Sequence, residues 1–171
     1  MQTSSLSSKE SGERAADFDA GVMFRRLFVP IDFSDGSKRA LATALELQRR
    51  FGSEICLFNL TESTGNDEFL AGLGDSIGGR DLVQAAEARL QRFVENLFPG
   101  SSSLVACRAH VGTDVVRGID EGAAQFRASL VVLGVRPHQT LFRTKSEKLI
   151  QGITCPVLLV RECTDASEVP H

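Results

Sequence analysis

The chain has 171 residues, 42% of them hydrophobic and 24% charged, enough for one globular domain with its own core and short tails. A formal charge of −3 and a pI near 5.6 supply no general positive field for nucleic acid or an anionic membrane surface. No stretch approaches the roughly eighteen apolar residues of a membrane span.

Residues 1–22 are rich in Ser, Glu and Ala and hold no apolar segment of signal-peptide length, so a disordered leader on a cytoplasmic protein is expected. The domain then runs over 23–162, and a flexible tail over 163–171. The first β-rich run, Arg26–Ile31, ends on Asp32 and meets a Ser/Asp/Gly cluster. A helix follows from Ser37 to Arg50, with Leu41, Ala44, Leu45 and Leu47 as its apolar positions, Ser34 as N-cap and Gly52 just past its end.

The second run is Glu54–Leu60. After it, 61–80 has five glycines and no periodicity, and is expected to be a mobile loop at the ligand end of the fold. The helical period returns over Asp81–Phe98, where Leu82, Ala86, Leu90, Phe93, Val94 and Leu97 share a stripe that Pro99-Gly100 terminates.

A strand over Leu104–His110, a helix over Asp114–Arg127, a strand over Leu130–Leu133, a helix over Thr144–Gln151 and a strand over Val157–Arg161 complete the chain. Such alternation implies βαβ units. The fold expected is an α/β one: a single open, five-stranded, mostly parallel sheet with helices on both faces.

Four cysteines, Cys56, Cys107, Cys155 and Cys163, form no C-x-x-C pair and are read as reduced thiols. His110, His138 and His171 match no metal spacing, and His110 near Cys107 lacks a third group to complete a nucleophilic or metal site. Neither a G-x-S-x-G elbow nor a G-x4-G-K-[ST] loop occurs.

The pieces Val29-Pro30-Ile31-Asp32-Phe33-Ser34, Ala40-Leu41, Val111-Gly112, Ser129-Leu130-Val131-Val132-Leu133-Gly134 and Cys155-Pro156-Val157-Leu158-Leu159-Val160 occur in an order that resembles the universal stress protein family, from about Phe24 to Arg161. That resemblance implies a Rossmann-like sheet of order 3-2-1-4-5. It also implies that Asp32 meets a ribose, that backbone around Pro30 and Leu60 lines an adenine, and that a homodimer forms through the last strand at Val157, Leu158, Leu159 and Val160.

In ATP-binding members a phosphate loop of pattern G-x-x-G-x9-G-[S/T] follows the fourth strand. Here Gly134 matches the first glycine, but Pro137 stands at the second, Arg143 at the third, and Thr144 arrives four residues early. Proline has no N–H to offer a phosphate, so the site is expected to be degenerate, and no cofactor is expected.

Arg136, Arg143, Lys145 and Lys148 gather there instead. The guanidinium groups of the two arginines could replace the lost backbone donors, or the cluster could be a solvated loop. Asp32 could likewise hold a ligand or only cap the first helix, and Gly134 could serve a turn of positive φ.

Three functions follow. The first is a non-enzymatic stress-response protein acting as a dimer with a protein partner. The alternative is a nucleotide-binding switch with weak hydrolase or phosphotransfer activity that uses ATP with magnesium. An enzyme acting on a small anion or metabolite is the third.

Overall fold

The computed structural model describes residues 20–62, 77–135 and 145–161. Most of the expected leader, the tail, and Arg136, Pro137, Arg143, Thr144 and Cys163 lie outside them. One helical turn, α1 (Ala20–Met23), leads into β1 (Arg26–Pro30), followed by α2 (Asp35–Phe51), β2 (Glu54–Glu62) and α3 (Ile77–Leu97). A 3-10 turn at Ser102–Leu104 precedes β3 (Val105–Gly112), α4 (Val115–Phe126), β4 (Leu130–Gly134), α5 (Lys145–Gly152) and β5 (Val157–Val160).

The five strands form one sheet in the order β3-β2-β1-β4-β5, and every pairing is parallel. The α/β architecture and the strand order therefore stand as expected. Because β2 and β4 lie on opposite sides of β1, the chain leaves β1 in one direction and the later strands extend in the other. The carboxyl ends of β1 and β4 flank this switch point, where open sheets of this kind form their ligand crevice.

Strand periodicity sorts the core into two layers. Leu27, Val29, Ile55, Leu57, Leu130 and Val132 face α2 and α3, where Leu41, Leu45, Leu90 and Val94 are fully or almost fully buried. Phe28, Cys56, Phe58, Val131 and Leu133 face α4 and α5, with Ile119 and Ala123. Burial on both sides explains why the strand sequences read as continuous apolar runs.

The caps of α2 match the sequence reading. Ser34 Oγ accepts the Ser37 N–H, and Gly52 takes the left-handed conformation at φ 67° while its N–H donates to the Gln48 carbonyl. Asp114 caps α4 in the same way by accepting the Arg117 N–H at 3.1 Å.

Four boundaries around β2, α3 and β3 differ from expectation. Helix α3 starts at Ile77 rather than Asp81, so the patternless stretch 61–80 is helical at its end and strand at its start. Gly78 and Gly79 lower local helix propensity by about 1 kcal/mol each, a local penalty that the burial of Leu90 and Val94 downstream overrides. Strand β2 runs on to Glu62 because Thr61 and Glu62 pair with Val111 and Gly112 of β3, which itself ends at Gly112 instead of His110. Leu104 coils into the 3-10 turn, its N–H donating to the Ser101 carbonyl, so β3 begins one residue late.

The two sheet edges differ. At β3 the Glu87 carboxylate accepts the outward Ala109 N–H at 3.3 Å, which blocks that position from pairing with another strand. Among the described residues no helix is long and apolar enough to cross a membrane.

Cys56, Cys107 and Cys155 are free thiols. Cys56 and Cys107 sit on neighbouring strands but point to opposite faces of the sheet, which bars a bridge between them. Burial pushes Cys56 up to about 12 and Cys107 up to about 11, both above the ordinary thiol value of 9.0. Since the thiolate is the nucleophile, iodoacetamide at pH 8 is expected to leave both unlabelled in the native protein and to label both in urea, as mapped by mass spectrometry. The same shifts mean that unfolded chains lose these protons first, so their contribution to stability is present below about pH 9 and declines as pH rises toward 12.

Candidate functional site: the crevice at the ends of β1 and β4

Pro30 closes β1, and the Ile31 N–H still donates to the Phe58 carbonyl at 2.7 Å. The Asn59 side chain of β2 then reaches across and donates from Nδ2 to the Ile31 carbonyl at 2.8 Å, while its Oδ1 accepts the Thr61 hydroxyl at 3.2 Å. Asn59 is only 9% exposed. A buried amide without partners would be costly. Its two bonds fix the path by which the chain leaves the sheet toward Asp32.

Asp32 is exposed at the mouth of the crevice. Its Oδ1 accepts from the Ser34 N–H at 3.0 Å, from the Ser34 hydroxyl and from the Ser37 hydroxyl at 2.6 Å. This is an Asx-type turn feeding the cap of α2. The local role considered for Asp32 is therefore real, and it occupies one carboxylate oxygen.

Between Asp32 and Ser34, Phe33 holds φ 63°, a left-handed conformation that costs a non-glycine residue about 1–2 kcal/mol. Packing holds it there: its ring meets Phe93 edge-on at 5.2 Å between centroids, and the Arg89 guanidinium lies 3.9 Å above it. A cation over an aromatic face contributes about 0.5–1 kcal/mol at such sites. The turn that aims Asp32 thus depends on two residues of α3.

Gly134 ends β4 without a positive φ, so the turn conformation considered from sequence does not explain it. The cause is steric. A Cβ built on Gly134 would overlap the carbonyl of Gly36 and come within 2.8 Å of the Ser37 nitrogen, while one on Gly36 would come within 3.2 Å of the Gly134 carbonyl carbon. The first turn of α2 and the end of β4 meet backbone to backbone.

Ser37 links the two sides, since its hydroxyl contacts Asp32 and its nitrogen faces Gly134. The structure thereby brings Asp32 and Gly134 to one place, with Pro30 two residues away. Leu60 does something else with its side chain: it packs toward α4, where a Cβ built on Gly118 would come within 2.5 Å of Leu60 Cδ1. Arg136, Arg143 and Thr144 fall outside the described residues. Among the described residues no group of three or more His, Cys, Asp or Glu side chains could hold a metal.

Gly36 and Asn59 were missed from sequence. A glycine in a helix's first turn and an amide inside an apolar strand were the available signals.

The universal stress protein family model matches residues 23–161, nearly all of the described chain. The chain belongs to the universal stress protein family. Among solved structures, universal stress protein UspA from Lactobacillus plantarum aligns at 18% identity over 81% of this chain and 98% of its own, with a TM-score of 0.54. A universal stress protein solved in complex with cAMP aligns at 18% identity over 81% and 97%, with a TM-score of 0.57. At these identities the likeness is one of fold. No curated protein matches the chain.

Gly134→Ala is expected to destabilise the domain by at least about 3 kcal/mol, because backbone atoms rather than a flexible side chain stand in the way. Urea denaturation monitored by circular dichroism checks this. A loss below about 1 kcal/mol would mean that the helix and strand separate easily.

Proposed function

We propose that this universal stress protein acts without catalysis, as a cytoplasmic stress-response dimer whose crevice lacks the family's triphosphate cradle. The observation that supports the reading is the state of Asp32: one of its two carboxylate oxygens, Oδ1, is already shared by three donors of the α2 cap. The sequence after Gly134 adds to it. Pro137 and Arg143 replace two glycines of the family's phosphate loop, and Thr144 comes four residues early.

The pairing surface is the edge strand β5. Residues Val157–Val160 are half-buried, and at the two ends of the pairing the Val131 and Val135 N–H groups donate to the Pro156 and Val160 carbonyls. In a parallel ladder alternate residues bond one neighbour, so the backbones of Val157 and Leu159 face outward. Unlike β3, where Glu87 blocks an N–H, this edge is short and apolar, as an isologous strand pairing requires.

A second reading is a nucleotide-binding switch with weak hydrolase or phosphotransfer activity on ATP with magnesium. It is favoured by the convergence of Asp32 and Gly134 on one helix turn and by the relative that carries cAMP in its structure. In that reading Arg136, Arg143 and Thr144 would hold the phosphates by charge-assisted bonds.

Isothermal titration with ATP and magnesium separates the two. The first reading expects no saturable heat up to about millimolar ATP, equivalent to binding weaker than about −4 kcal/mol. Micromolar binding that is lost in Asp32→Ala would establish the second. For the dimer, Leu159→Pro removes an outward N–H while leaving the bonds to β4. Sedimentation should show wild-type dimers and monomeric variant with unchanged circular dichroism; a variant that stays dimeric would place the interface elsewhere.

A further inference from the structure

The end of the sheet opposite the crevice carries an apolar surface. Every strand is parallel, so the amino ends of β1, β2 and β3 lie together there. Among the described residues five large hydrophobic side chains are exposed, and four of them, Val22, Phe51, Leu97 and Leu104, belong to segments that enter these three strands. A single exposed apolar residue is ordinary, whereas several at one place mark a surface that something covers.

Packing links the four into a strip. The Phe24 ring stacks on Phe51 with centroids 4.7 Å apart, and Val22 precedes Phe24 by two residues in a turn closed by the Arg25 N–H on the Val22 carbonyl at 3.4 Å. One helical turn before Phe51, the Gln48 amide donates to the Leu104 carbonyl at 2.9 Å and ties the end of α2 to the 3-10 turn. Glu95 accepts the Gly100 N–H at 3.1 Å and the Ser102 hydroxyl at 2.7 Å, which joins the end of α3, with Leu97, to that same turn.

The charge along the strip is uneven. Arg25 is exposed and has no ion pair with another described residue, and Arg49 and Arg50, also exposed, share the single carboxylate of Glu46 at 3.6 and 3.0 Å. Glu54 is taken by Arg26 at 3.1 Å. The end of the strip at Val22 and Phe51 is therefore positive, while Glu95 makes the end at Leu97 negative. A complementary occupant of the positive end is apolar and flanked by carboxylates.

The chain supplies such a segment just ahead of α1. Asp17-Phe18-Asp19 sets an aromatic ring between two carboxylates, and residues 1–19 hold Glu10, Glu13, Asp17 and Asp19 against Lys9 and Arg14. Too few apolar residues stand there to fold alone. Phe18 is nevertheless separated from Val22 by only three residues, and so short a tether gives an effective concentration of about millimolar, enough to populate a contact too weak for a free peptide. We infer that residues 17–19 dock back on the positive end of this strip, with Phe18 covering Val22 and Phe51 and its two neighbouring carboxylates facing Arg25, Arg49 and Arg50. Buried apolar area supplies the attraction, and the arginines select an acidic segment. The surface lies away from both the crevice and the β5 edge, so it depends on neither reading of the function.

The chain has no Trp or Tyr, so Phe51→Trp in the full chain places a single fluorophore on the strip. Its emission is expected to be blue-shifted and shielded from acrylamide. Adding Phe18→Ser, or Asp17→Lys together with Asp19→Lys, should shift the emission to the red and raise quenching at least about twofold, because the tethered contact dominates only while its ring and its charges are both in place. Arg25→Glu with Arg49→Glu, added to the lysine pair, should restore the shielding, which a merely local disturbance would not do. Val22→Trp, at the most exposed of the four positions, carries the same measurement if the reporter at 51 unfolds the chain. Equal quenching with and without Phe18 would overturn the assignment. So would shielding that appears only as protein concentration and sedimented mass rise together, which would make a second copy the cover, or shielding that needs anionic lipid vesicles.

Discussion

Gly134 at the end of β4 and Gly36 in the first turn of α2 meet with no side chain between them, and the ligand end of the sheet is arranged around that contact. Any Cβ would push the helix away from the strand. With the two backbones together, the N-terminus of α2 lies over the switch point between β1 and β4, and Ser37 reaches both Asp32 and the Gly134 backbone. The orientation of Asp32 is thus a consequence of helix–strand packing as much as of the turn that carries it.

That turn serves two demands at once. Three donors on Asp32 Oδ1 stabilise the cap of α2, while Phe33 is kept in a left-handed conformation by Phe93 and Arg89 of α3. A ligand hydroxyl directed at Oδ1 would have to compete with the cap. Helix N-termini favour anions through exposed N–H groups; here the Ser37 N–H is taken by Ser34 Oγ and the N–H of Ser34 itself by Asp32. Asp32 therefore stands exposed at the mouth of the crevice while one of its oxygens serves the cap of α2.

Much of this was legible in the chain. Alternating apolar runs and helical stripes gave the five strands and the order of elements, Ser34 and Gly52 marked the ends of α2, and Asp32 stood out by position. What was not legible depends on contacts between distant residues. Nothing local says that Gly134 needs room for Gly36, roughly a hundred residues earlier, so the glycine was read as a turn former. Asn59 looked like one residue of a strand, although its amide fastens the end of β1. The opening of 61–80 as strand and its close as helix followed from β3 pairing and from α3 burial, which outweighed a glycine-rich local signal.

In the proposed function the polar groups at this crevice serve the fold in place of a nucleotide. The most direct measurement is the set of backbone amide shifts of Asp32, Ser34, Ser37 and Gly134 in a ¹⁵N-labelled chain as ATP and magnesium are added. These four amides should stay in place through millimolar ATP. Saturable movement of the four together, with the Ser34 and Ser37 amides leaving their capped positions, would contradict that reading.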